Sequence, residues 1–218
     1  TVLDQINDWL PVTESLTAKF GVSNKITKNA TIGTSWNFNA YKNDALTEGR
    51  TNQIYNNNLQ RYTLLNSSKL DNDKTVTGNV YYNYVSDSLD TKLDIQLNYA
   101  NYNNKANEFI NNKYLNVSDH SPFRTEETVN NNNPTKYKIF NAKIDFERKI
   151  SKKFSLETGL KYSNVNNDYN IMLKNKDANG NFILDTNKSN HLLYEESITA
   201  GYFITNYNWF FNQRSSIP

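Results

Sequence analysis

The chain has 218 residues, 24 basic and 22 acidic, for a formal charge of +2, with no cysteine and a large excess of asparagine. Its mean hydropathy is −0.80, and it contains no apolar run near the roughly 20 residues that a membrane-spanning helix needs. The missing cysteines exclude a disulfide framework and any thiolate metal site, and scattered charge leaves no basic stripe to follow phosphates, so no nucleic-acid partner is expected.

Helix is expected to be negligible, and the opening residues 4–10, with Ile6, Trp9 and Leu10 at helical spacing, are the one place where a turn of helix would fit. Residues 13–24 then set Leu16, Ala18, Phe20 and Val22 at every second position, and a short link of residues 25–29 follows. Residues 30–41 repeat the beat with Ile32, Thr34, Trp36 and Phe38 against Gly33, Ser35, Asn37 and Asn39. This is the pattern of a strand with one apolar and one polar face. Residues 42–73 are polar and charged and read as a long loop, with residues 61–65 as a candidate extension of a strand. Residues 74–85 carry Val76, Val80, Tyr82 and Tyr84, turn through Ser86-Asp87-Ser88-Leu89-Asp90, and return as Leu93, Ile95, Leu97 and Tyr99. Pairing across that turn sets Tyr84 against Leu93, Tyr82 against Ile95, Val80 against Leu97 and Gly78 against Tyr99, an aromatic over a strand glycine.

Residues 106–135 read as a second long loop. Phe140, Ala142, Ile144 and Phe146 resume the alternation, the short link of residues 149–153 follows, and Phe154, Leu156, Leu160 and Tyr162 continue it. A third long loop spans residues 165–193, within which Asn179-Gly180 predicts a tight hairpin turn between residues 170–173 and 182–184. The last strand, residues 194–206, puts Ile198, Ala200, Tyr202 and Ile204 on one face.

The links alternate short and long. Bacterial outer-membrane barrels have short turns at one end and long loops at the other, whereas nothing forces a β-sandwich to place its long loops at every second connection. The expected fold is therefore an all-β antiparallel meander of about seven strands, forming part of a transmembrane outer-membrane β-barrel. Low hydropathy does not oppose this, because only alternate residues meet lipid. Trp36, Phe38, Tyr99, Phe140 and Tyr162 near the long-loop ends, with Tyr82, Tyr84, Phe146 and Phe154 near the short-turn ends, suit two interfacial aromatic girdles. The polar faces supply the lumen-facing candidates: Asp94, Gln96 and Asn98 on one strand, Asn141, Lys143 and Asp145 on the next, Glu157 and Lys161 on a third. Any barrel needs wetted residues there, so they single out no substrate.

No catalytic, metal or cofactor site is expected. His120 and His191 are the only histidines and fall in separate loops, which removes a triad or a multi-histidine zinc site. Residues 177–181 have the wrong glycine spacing for a calcium loop. The N-x-S/T sequons at Asn29, Asn66, Asn116 and Asn187 are what an asparagine-rich chain produces by chance.

Residues 16–33 and 146–162, including Phe146-Glu147-Arg148-Lys149-Ile150-Ser151-Lys152-Lys153-Phe154, resemble the barrel repeats of TonB-dependent outer-membrane receptors, especially those of Bacteroidetes-type bacteria. The resemblance extends over about residues 13–208. It implies a 22-stranded barrel plugged by an amino-terminal domain, in the outer membrane of a Gram-negative bacterium, importing a scarce small nutrient with energy relayed by TonB. Nothing in the chain resembles the plug or the TonB box, and Arg214-Ser215-Ser216-Ile217-Pro218 lacks the aromatic end of a closing strand. Residues 1–218 are therefore expected to be a single segment of a larger barrel, whose partners would be the lipid bilayer, a plug in the same protein, TonB and an unidentified nutrient. The alternative is a secreted β-sandwich that binds glycans or acts as an adhesin. The expected role is transport, not catalysis.

Overall fold

The computed structural model describes residues 1–87 and 90–207. Ser88, Leu89 and the ending at residues 214–218 lie outside the described residues. Among these the fold is entirely β: β1 (Val2–Thr27), β2 (Ala30–Tyr55), β3 (Asn58–Ser86), β4 (Thr91–Asn116), β5 (Pro122–Lys149), β6 (Phe154–Lys176), β7 (Phe182–Leu184) and β8 (Asn190–Tyr207). Neighbours in sequence pair antiparallel from β1 to β6, and β7 and then β8 add in succession to the free edge of β6. The result is one open, single-layered sheet. No second sheet lies over it, so the described residues do not form a sandwich.

The expected pairing across the turn after Ser86 is found: Tyr84 with Leu93, Tyr82 with Ile95, Val80 with Leu97, Gly78 with Tyr99. The ring lying over Gly78 is, however, Trp36 of β2, because a Cβ added at that glycine would collide with the indole. Residues 4–10 are strand and not a turn of helix. Their partners run from Asp4 with Asn52 to Leu10 with Leu46, and a continuous backbone ladder outweighs an accidental 3.6-residue spacing.

The first two long loops are not loops, and of the third only residues 177–181 and 185–189 lie outside strands. Residues 42–73, 106–135 and 165–176 continue the strands, giving β3 a length of 29 residues and about 95 Å at ~3.3 Å per residue. Asparagine, threonine and acidic side chains tie these extensions together: Ser67 Oγ donates to Glu108 at 2.6 Å, Asn130 to Asn107 at 2.7 Å, and Thr13 to Asn43 at 3.1 Å. True turns are confined to the tips. Asn56 and Asn57 both have positive φ, 46° and 61°, the geometry of a two-residue type I′ hairpin. Residues 117–121 close the β4–β5 tip, where Asn116 N–H donates to Ser121 O at 2.9 Å.

At residues 177–181 the expected two-residue turn is instead a five-residue loop. The Asp177 carboxylate accepts from the backbone N–H of Asn179 at 2.9 Å and of Asn181 at 2.8 Å, and only Gly180 takes positive φ. An aspartate that bonds the backbone two residues on replaces the type I′ pattern. The strand after it therefore pairs with residues 174–176, not 170–173.

Candidate functional site

Each strand from β1 to β6 has a stretch of about ten residues in which one face is apolar, and the registers bring these stretches side by side. Phe20, Trp36, Gly78, Tyr99 and Phe140 lie along one row of partners, and Asn24, Ile32, Tyr82, Ile95, Ile144 and Leu160 along another. The face is open: Phe20 is 58% exposed, Ile144 45% and Leu160 64%. The only buried hydrophobic residues among those described are Ala30, Ala45 and Tyr62. An uncovered apolar surface that crosses six strands far exceeds the few hundred Å² that soluble monomers leave bare. Phe20 stacks on Phe38 at 6.0 Å, and Phe140 meets Tyr162 at 6.4 Å, which forms the aromatic rim nearest the tall hairpins.

The upper boundary of this belt is marked by its first polar residue on each strand: Lys42, Lys74, Asn101, Lys138 and Asn164. It does not follow the rows. Lys42 sits opposite Asn72, two residues above Lys74, and the row of Lys74 runs through Asn103 and Lys136 to Asp168, four residues above Asn164. A drop of about four to six residues over three to four pairings, at ~3.3 Å per residue and ~4.8 Å between strands, corresponds to a tilt of about 40 to 45°. Strands of membrane barrels tilt by about 35 to 45° because closure staggers them, so the bilayer cuts the sheet obliquely.

The opposite face is polar at the same level. All eight expected lumen residues lie on it: Asp94 pairs with Asp145, Gln96 with Lys143 and Asn98 with Asn141, while Lys161 faces Lys143 and Glu157 faces Glu147. Like charges placed directly opposite repel, and the sheet offsets this with local partners. Lys143 pairs with Asp145 and Lys92 with Glu147 at 2.8 Å, while Asn83 donates to Asp94 and Gln96 donates to it at 2.8 Å. Asn79 donates to Asn98 at 2.7 Å, which extends an amide and hydroxyl row through Ser35, Asn79, Asn98, Asn141 and Ser163. A shallow groove of about 580 Å³ runs along this row.

Two contributors to the polar face are not apparent from alternation. Asn79 and Asn83 of β3 act only once register is known. β8 is the larger surprise, because Ile198, Ala200, Tyr202 and Ile204 pair with Ser163, Lys161, Gly159 and Glu157 and so share the polar face. Tyr202 OH donates to Asp145 at 2.8 Å and Asn206 to Glu157 at 3.3 Å. Phe203 and Tyr207 occupy the other face of β8, so its alternation alone does not say which side is apolar.

The described residues include no group of three or more acidic or histidine side chains placed to hold a metal ion. His120 and His191 remain apart. His120 Nδ1 bonds Tyr62 OH at 2.8 Å at one tip, and His191 Nε2 meets Asp168 at 2.8 Å on β6. Residues 85–213, more than half of the chain, match the outer membrane protein beta-barrel family. No curated protein matches it.

Proposed function

Because this chain belongs to the outer membrane protein beta-barrel family, and so to the outer membrane of a Gram-negative bacterium, we propose that it forms part of the wall of a receptor barrel for TonB-dependent nutrient uptake. The observation that supports this reading most is the polar face behind the belt. Its amide row and its compensated carboxylates and lysines, Asp94, Gln96, Asn98, Asn141, Lys143, Asp145, Glu157 and Lys161, form a wetted wall suited to contact a plug or line a path for a polar solute. Asn43 and Ala45 on the same side are buried while Lys42, Asp44 and Leu46 are exposed, as on the concave side of a curved sheet. The tall hairpins rise from one end only, and we assign that end to the cell exterior, where they meet the nutrient first. No reaction is assigned to any residue.

Two measurements on the full-length protein test the proposal. Epitope tags after Asn57, Asp119 and Asn179, in the turns at the hairpin tips, are expected to be accessible on intact cells, while tags at Asn29 and Ser151 require a permeabilised outer membrane. Site-directed cross-linking is expected to capture TonB, and planar bilayers are expected to show no steady conductance. Large passive conductance without a TonB cross-link would make the barrel an open pore and remove the energised uptake.

A further inference from the structure

Directly above the apolar belt, on the same face, stand five exposed lysines: Lys42, Lys74, Lys105, Lys136 and Lys138. Registers place them together. Lys74 and Lys136 flank Asn103 in one row, Lys42 and Lys105 flank Asn72 in the row above, and Lys138 lies two residues below Lys136. Among the described residues none of the five has a carboxylate within ion-pair distance, although Lys69, Lys92, Lys143, Lys149 and Lys188 all do. The carboxylates near them on this face are Glu14, opposite Lys42, with Asp44, Asp168, which is bonded to His191, and Glu195, which lies in the row of Lys138 beyond Asn166 and shares a cleft with Lys136 and Lys138. At this height the other face is acidic instead, with Asp71, Asp73 and Glu108. A cleft of about 310 Å³ between Asn72, Lys74, Asn103 and Lys105 opens on the lysine side, and Asn103 Oδ1 in its wall is buried without a partner.

We infer that this girdle binds the phosphorylated headgroup of a glycolipid in the outer leaflet. Acyl chains would lie on the apolar belt immediately below, so a lipid seated there brings its headgroup to the level of the lysines. Clustered ammonium groups at that depth attract anionic headgroups, and lysine serves phosphate as a compact charge with three donors. Sugar hydroxyls of the headgroup would meet the Asn72 and Asn103 side chains that line the cleft. The assignment of this end to the exterior rests on the orientation proposed above.

The test uses full-length protein in nanodiscs containing either lipid A or lipid A stripped of its phosphates, with bound lipid counted by native mass spectrometry. Wild type is expected to retain phosphorylated lipid A in at least tenfold preference, and the triple variant Lys74→Gln, Lys105→Gln, Lys136→Gln to lose that preference. Lys28→Gln, at the opposite end, is expected to keep it, and heat-modifiable gel mobility verifies folding of each variant. Equal retention of both lipids, or of lipid A by wild type and triple variant, overturns the inference. Inorganic phosphate bound without lipid preference overturns the lipid as its source. The tag after Asn57 separates the two readings: if it is accessible on intact cells while lipid preference is absent, the orientation stands and the headgroup site falls.

Discussion

Ile144 and Asn141 are three residues apart on β5 and point to opposite faces, so they isolate the effect of surroundings from that of position. Ile144 pairs with Ile95 and Leu160 inside the belt, and Asn141 with Asn98 and Ser163 on the polar side. Arginine at Ile144 is expected to cost about 2 to 4 kcal/mol near the bilayer midplane, and arginine at Asn141 much less. Refolding of full-length variants into vesicles in urea measures both, and equal costs would contradict the assignment of faces. A second residue acts at a tip. Asp119 accepts from Ser121 Oγ at 2.7 Å and Ser121 N–H at 3.0 Å, and these bonds hold its carboxyl below the ordinary aspartate value. The contribution is present above the unfolded-chain pKa of about 3.9 and is lost as pH falls through the lower folded value. Amide protection at Ser121 should stay level from pH 5 to 8 and fall only below about pH 4. A loss between pH 5 and 7 would mean that another group holds the tip.

At the level of the element, the hairpins carry a clear expectation. Because residues 42–55 and 58–73 form a continuous ladder, their amides should exchange slowly, and proteolysis of intact cells should cut at residues 56–57 and 117–121 and spare the flanks. Cleavage spread through residues 42–73 would restore the long loop. The sequence reads these stretches as loops for a physical reason. Alternation appears where one face meets an apolar medium, as at Phe140, Ala142, Ile144 and Phe146. Above the belt both faces meet water, so residues such as Asn66, Ser67, Ser68 and Lys69 show no period although their backbones pair as regularly. Short turns were legible at Lys28-Asn29 and at residues 150–153, where the flanking periods stop and restart. The side of β8 was not, because Ile204 and Phe203 are both large and apolar, and only its register against β6 separates them.

Over its described residues the molecule is a sheet without a core. Its described residues bury almost no hydrophobic side chain, its apolar surface forms a band about ten residues tall, and the upper edge of that band crosses the registers at the angle expected of tilted barrel strands. We propose that lipid covers this band and that the polar wall behind it faces the lumen. That the eight candidates share the face opposite the belt was legible in the sequence because they alternate with the belt. The way they are compensated was not, since Lys92, Asn83, Tyr202 and Asn206 come from positions that only the registers bring near. The direct test of the account is depth- and face-resolved quenching of full-length protein in bilayers of brominated lipid, with a fluorophore on single cysteines at positions 140 to 147. Strong quenching at Phe140, Ala142, Ile144 and Phe146, alternating with weak quenching at Asn141, Lys143, Asp145 and Glu147, is the result the account predicts. Uniform quenching along the strand, or strong quenching at the odd positions, would contradict it.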